Sequence, residues 1–138
     1  FKDKNVLFAG DHVMAWATTI VAPPDGAISD YMASLRKLAT RPEQIYFPGH
    51  GPAIHDASRF VNYYILHRLA REDSIRHRLA KGATDIPTIV RAIYIGIDPR
   101  LTGAAGMSVL AHLEDMVTRG EVETDGPPSI DGVYRMKA

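Results

Sequence analysis

The chain is 138 residues long, with 46% hydrophobic and 23% charged residues, no cysteine, and sixteen basic side chains balanced by sixteen acidic ones. That composition excludes a disordered polyelectrolyte, a disulfide scaffold and a strongly basic nucleic-acid coat. No apolar run approaches the ~20 residues of a membrane helix, and no charged start leads into an apolar core as a secretory signal would.

The first element is a short buried strand, Val6-Leu7-Phe8-Ala9, apolar on both faces and ended by Gly10. A loop from Asp11 to Pro24 follows, broken hard at Pro23-Pro24. Asp25 or Ser29 caps a helix over 28–39, whose apolar positions Ile28, Met32, Leu35 and Leu38 recur at helical spacing. Gln44-Ile45-Tyr46-Phe47 reads as a second strand, running into Pro48-Gly49-His50-Gly51-Pro52. Ser58 is placed to cap a long helix over 59–81, with Leu66, Leu69, Ile75 and Leu79 among its apolar positions and Gly82 at its end. Thr84 or Asp85 caps a short helix with Pro87 in its first turn and Ile86, Ile89, Val90 and Ile93 inward. A third helix over 104–119 carries the stripe Met107, Leu110, Leu113, Met116, Val117 and stops at Gly120. Residues 121–124 and 133–136 then form a hairpin across a long loop. Three helices and a hairpin indicate a winged-helix module, with the domain boundary between 1–56 and 57–138.

Two clusters can carry chemistry. Gly10-Asp11-His12 puts an acid directly after one strand, and Pro48-Gly49-His50-Gly51-Pro52 puts an imidazole after the other. Strand ends suit ligands, because the sheet fixes the side chain while the loop leaves room for substrate. Flanking glycines permit unusual backbone angles and close approach of a substrate. Taken alone, an acid such as Asp11 after a strand is usually a turn residue and a histidine such as His50 in a Gly/Pro turn is more often a loop residue than a ligand, and two donors do not fill a zinc site, which takes three or four. His67, His77 and His112 have no ligand spacing and read as solvent-facing or core histidines.

Gly10-Asp11-His12-Val13-Met14-Ala15-Trp16, Thr18-Thr19, Pro23-Pro24-Asp25-Gly26, Tyr31-Met32, Leu35 and Pro48-Gly49-His50-Gly51-Pro52 together resemble the C-terminal half of a metallo-β-lactamase-fold hydrolase. The resemblance is to the glyoxalase-II-related branch that includes β-lactamase-like protein 2, which carries a winged-helix tail. It implies an α/β fold, the C-terminal part of an αββα sandwich, followed by a mainly α winged-helix domain. It implies a dinuclear zinc centre, open to other divalent metals, in which Asp11 is the bridging aspartate and His50 the last histidine. The implied reaction uses a metal-bound hydroxide on an ester, thioester, amide or phosphodiester. His12 and Trp16, in the same loop, are then candidate substrate-binding residues, with packing the competing role for Trp16. The family's HxHxDH motif and third histidine are absent from these 138 residues, and Ala15 stands where the pattern has glycine. Together with the start at Phe1, this implies a piece of a larger cytoplasmic enzyme, inactive alone. Its partners would be the missing N-terminal half and a small-molecule or RNA substrate, with no membrane. The apolar face left on residues 1–56 invites dimerisation.

The alternative is a winged-helix module that binds nucleic acid or protein. Residues 57–138 carry eleven Lys or Arg against ten Asp or Glu, and the third helix offers Glu114 and Asp115 beside Arg119. A helix reading a DNA groove needs a basic, polar face. The positive concentration lies instead on the long helix, at Arg68, Arg71, Arg76, Arg78 and Lys81.

Overall fold

Strand β1 (Val6–Gly10) pairs in parallel with β2 (Ile45–Pro48), in the register Val6↔Ile45, Leu7↔Tyr46 and Phe8↔Phe47, then Gly10↔Pro48 after a local slip. Parallel strands need a crossover, and here it contains helix α1 (Ile28–Ala39). The computed structural model describes residues 4–138. It divides into two units: residues up to Thr19 with Tyr31–Arg68, and Ile20–Asp30 with Leu69–Ala138.

In the first unit Tyr31, Met32 and Leu35 of α1 are buried, as is Tyr46 of β2. The backbone of Tyr46 exchanges two 2.9 Å hydrogen bonds with Ile54, so the chain doubles back directly after the His50 turn. In the Ile20–Asp30 segment, which belongs to the second unit, the Pro23-Pro24 bond is cis. Helix α2 (Ala57–Leu79) begins in the first unit. Its start differs from the sequence expectation. Phe60 N–H donates to Asp56 O, and the Asp56 carboxylate accepts from Arg59 N–H at 3.3 Å, so Asp56 rather than Ser58 is the cap. Its apolar pattern differs too. The buried stripe runs Ala57, Val61, Tyr64, Arg68, Ile75, Leu79, while Leu66 and Leu69 are 65% and 44% exposed. Steps of three or four from Ala57 reach Tyr64 and Arg68 and pass both leucines by.

In the second unit α3 (Ile86–Ile93) and α4 (Thr102–Thr118) pack against the end of α2 around Ile75, Ile86, Ile89, Leu113 and Met116. Asp85 caps α3, its carboxylate accepting from Thr88 N–H at 2.9 Å, with Pro87 in the first turn. The expected hairpin is β4 (Val122–Thr124) with β5 (Val133–Met136). No sequence signal marked β3 (Thr84–Asp85), which pairs antiparallel with β5 to make a sheet of order β3-β5-β4. Buried Tyr134 fixes the long loop, donating to Ser129 O at 2.7 Å and accepting from Ser129 N–H at 2.9 Å. Among the described residues, no helix is long and apolar enough to cross a membrane.

Candidate metal centre

The two clusters meet because the two strands are parallel neighbours. β1 ends at Gly10 (φ 54°) and β2 at Pro48, which are register partners. Gly49 N–H donates to Gly10 O at 2.8 Å, tying the two exits together. The next residues then face each other: His50 Nδ1 lies 2.7 Å from Asp11 Oδ1, across 39 positions of sequence. Both side chains are exposed.

The glycines around His50 make this possible. A Cβ on Gly49 would stand 2.7 Å from Asp11 Oδ1. A Cβ on Gly51 (φ 91°) would stand 2.6 Å from both Cδ1 and Nε1 of Trp16. Trp16 is thus brought against the residue that follows His50, while it remains 67% exposed. His12 goes elsewhere. Its Nε2 lies 2.7 Å from Ser34 Oγ on α1, and its ring packs edge-on against Tyr31. It lines an open groove of about 300 Å³ with Phe8, Ser34, Lys37 and Arg41, a groove that neither Asp11 nor His50 borders. Burial pushes the His12 imidazole below its ordinary pKa, against a backbone hydrogen bond that raises it.

The loop between Asp11 and Thr19 has its carbonyls taken by three side chains. Tyr31 donates to His12 O at 3.3 Å. The Tyr64 hydroxyl donates to Met14 O and, at 2.9 Å, to Ala17 O. Arg68 Nη2 donates to Thr19 O, with its guanidinium 5.2 Å from the Tyr31 ring centre. Sequence reasoning missed Tyr64 and Arg68 as parts of the site. The available signal was an arginine in step with Val61 and Tyr64 on a buried stripe, because a buried guanidinium requires acceptors.

A carboxylate and an imidazole are ordinary donors to a hard or borderline divalent ion. Two donors on one tetrahedral zinc stand about 3.3 Å apart, given bonds of about 2 Å. The 2.7 Å between Asp11 and His50 is therefore a hydrogen bond. The donor types fit a metal; their number fits part of a site. Among the described residues, no group of three or more His, Asp or Glu could hold an ion.

Residues 86–127 match the family described as beta-lactamase associated winged helix domain. A metallo-beta-lactamase family protein from Thermus thermophilus superposes with a TM-score of 0.81 at 23% identity, covering 99% of this chain and 43% of that one. The chain has the metallo-β-lactamase fold, with its associated winged helix. The expected class, part of an α/β sandwich followed by a winged helix, is thereby borne out. A beta-lactamase-like protein 2 homolog of Drosophila melanogaster is 28% identical over 123 residues, 87% of this chain and 41% of its own length. A thioesterase, pkgB, of Emericella nidulans is 34% identical over 82 residues, 59% of this chain and 23% of its own. This metallo-β-lactamase-fold chain therefore spans less than half the length of each of these relatives.

Proposed function

We propose that the chain serves a metallo-β-lactamase-fold hydrolase, in which Asp11 and His50 supply part of the ligand set of a dinuclear zinc centre. The observation that carries this reading is the meeting of the Asp11 carboxylate and the His50 ring at the ends of adjacent parallel strands. The remaining ligands come from outside these 138 residues, from the N-terminal part of the same hydrolase domain. A divalent metal bound with Asp11 and His50 among its ligands would supply Lewis-acid chemistry.

The chain's own residues do the rest. The Asp11 carboxylate would supply oxygen to the metal centre. His50 supplies one imidazole nitrogen, its ring oriented by the Gly49-His50-Gly51 turn. Trp16 stands beside that turn as an apolar wall for the acyl or leaving group. His12, bonded to Ser34, shapes the root of the loop. The thioesterase among the relatives favours a thioester or ester; an amide or an RNA phosphodiester is the next substrate class. The setting is cytoplasmic.

Residues 1–56 and 57–138 act as hydrolase portion and winged-helix domain respectively. The isolated chain does not turn over substrate, because two donors do not hold two metals. Phe8 and Phe47, stacked at 5.6 Å and exposed, form the apolar face that the N-terminal half or a second copy covers. Nucleic-acid binding by the winged helix finds no support in its charges. Arg119, the cation at the end of α4, is engaged by Glu72 and Asp115 at 2.9 Å and by Glu121.

Zinc titration of the complete enzyme tests the reading. Asp11→Ala and His50→Ala should each lower zinc stoichiometry and remove hydrolysis. Unchanged stoichiometry and activity in both variants would overturn it.

A further inference from the structure

We propose that Tyr64 and Arg68 of α2 are positioning residues for the loop tip that bears Trp16, and so shape the wall beside His50. The inference rests on the metal-site reading for its functional meaning, although its geometry stands independently. The segment from Asp11 to Thr19 has neither helix nor strand to satisfy its backbone. Backbone carbonyls held away from water need partners. Val13 is fully buried and anchors the loop from within. The carbonyls of Met14 and Ala17 share one donor, the Tyr64 hydroxyl. Between those two carbonyls lie only Ala15 and Trp16. A single phenol thus pinches the two ends of a two-residue tip, and the tip carries the indole that rests on Gly51.

Arg68, one turn further along α2, holds the outgoing strand of the same loop at Thr19 O. Its guanidinium lies over Tyr31, whose hydroxyl holds the incoming strand at His12 O. Tyr64 and Arg68 lie four positions apart, so one helix face presents both donors at a fixed spacing. Burial pushes the Tyr64 phenol above its ordinary pKa, which keeps it a donor at any physiological pH. Both residues act through the loop, by holding its backbone carbonyls.

Trp16 is the chain's single tryptophan, so its fluorescence reports the tip directly. Tyr64→Phe removes the shared donor and keeps the ring. The expected result is a lower Trp16 anisotropy and greater acrylamide quenching, with unchanged far-UV circular dichroism well below the melting temperature. Arg68→Met should loosen the tip in the same direction and less. Val61→Ala, a core truncation on the same helix face, serves as the control. It should lower the melting temperature without moving the Trp16 signal.

If Tyr64→Phe leaves the Trp16 signal as it is, or moves it no more than Val61→Ala does, the positioning role is overturned. Should Tyr64→Phe not fold, Arg68→Met decides by the same readout. If Trp16 loosens while Asp11→Ala and His50→Ala leave zinc binding unchanged, the tip-positioning role stands and the metal-site reading fails.

Discussion

His50 sits between two glycines that look interchangeable in the sequence and are not. At Gly49 an added methyl meets the end of the Asp11 side chain, which can swing away about its own torsions. At Gly51 it meets the flank of an indole, on a backbone with φ of 91° that side chains rarely adopt. Gly49→Ala should therefore fold normally and break the Asp11–His50 contact, visible as a changed His50 imidazole shift by NMR. Gly51→Ala should cost about 1–3 kcal/mol in chemical denaturation and displace Trp16 fluorescence as well. The Gly-His-Gly pattern marked the place in the sequence, with unusual backbone angles and close approach of a substrate as the expected reasons, and Gly51 has such an angle. The structure shows that the approaching groups are the chain's own Asp11 and Trp16. Side chains of residues 11 and 16 reach 49 and 51 only through strand pairing, a long-range fact that a local pattern does not contain.

Among the elements, α2 shows how far periodicity reaches. Its existence, its approximate length and its stop before Gly82 followed from cap residues and apolar spacing. Its start did not, because Asp56 and Ser58 are both good caps and lie two positions apart. Tertiary contact breaks the tie. Ala57 is fully buried and its N–H donates to Gln44 O at 3.1 Å, which fixes where the helix can begin. Asp56→Ala should destabilise the chain by about 1 kcal/mol in thermal or urea melts. Ser58→Ala, at an exposed position, should stay within about 0.5 kcal/mol of the parent. The reverse order would restore Ser58 as the cap. The misplaced leucines have the same origin. Leu66 and Leu69 satisfy a helical pattern in isolation, yet the stripe set by Ala57, Val61 and Tyr64 excludes them. Strand β3 was illegible for a simpler reason: two residues have no period, and Thr84–Asp85 is a strand only because Tyr134 and Val133 pair with it.

At the scale of the whole molecule, the balance of sixteen basic and sixteen acidic side chains is matched in places by local pairing. In the winged-helix unit Arg76 reaches Glu72 and Glu121 at 2.8 Å and Asp73 at 3.4 Å, while Arg119 reaches Glu72, Asp115 and Glu121. Two guanidinium groups and four carboxylates tie the end of α2 to the end of α4 and the start of the wing. The hydrogen bond from Arg76, with the Arg119 charge behind it, holds the Glu121 carboxyl below its ordinary value of 4.5, against the effect of burial. Between that lowered value and 4.5 the folded chain binds fewer protons at this site than the unfolded chain does. The stabilisation is therefore complete above pH 4.5 and is lost as pH falls through the folded-state value. Because Glu121 is one-third exposed, solvent screening limits its worth to about 0.5–1 kcal/mol. Melting curves of the parent and Glu121→Gln should differ in favour of the parent at neutral pH, converge below pH 4.5, and draw closer in high salt. A gap that persists unchanged at about pH 3, well below the ordinary carboxylate range, would mean that Glu121 contributes through packing instead. In that case Arg76 and Arg119 would be held by Glu72, Asp73 and Asp115, and the wing would owe its attachment to Val122 and Tyr134 in the core.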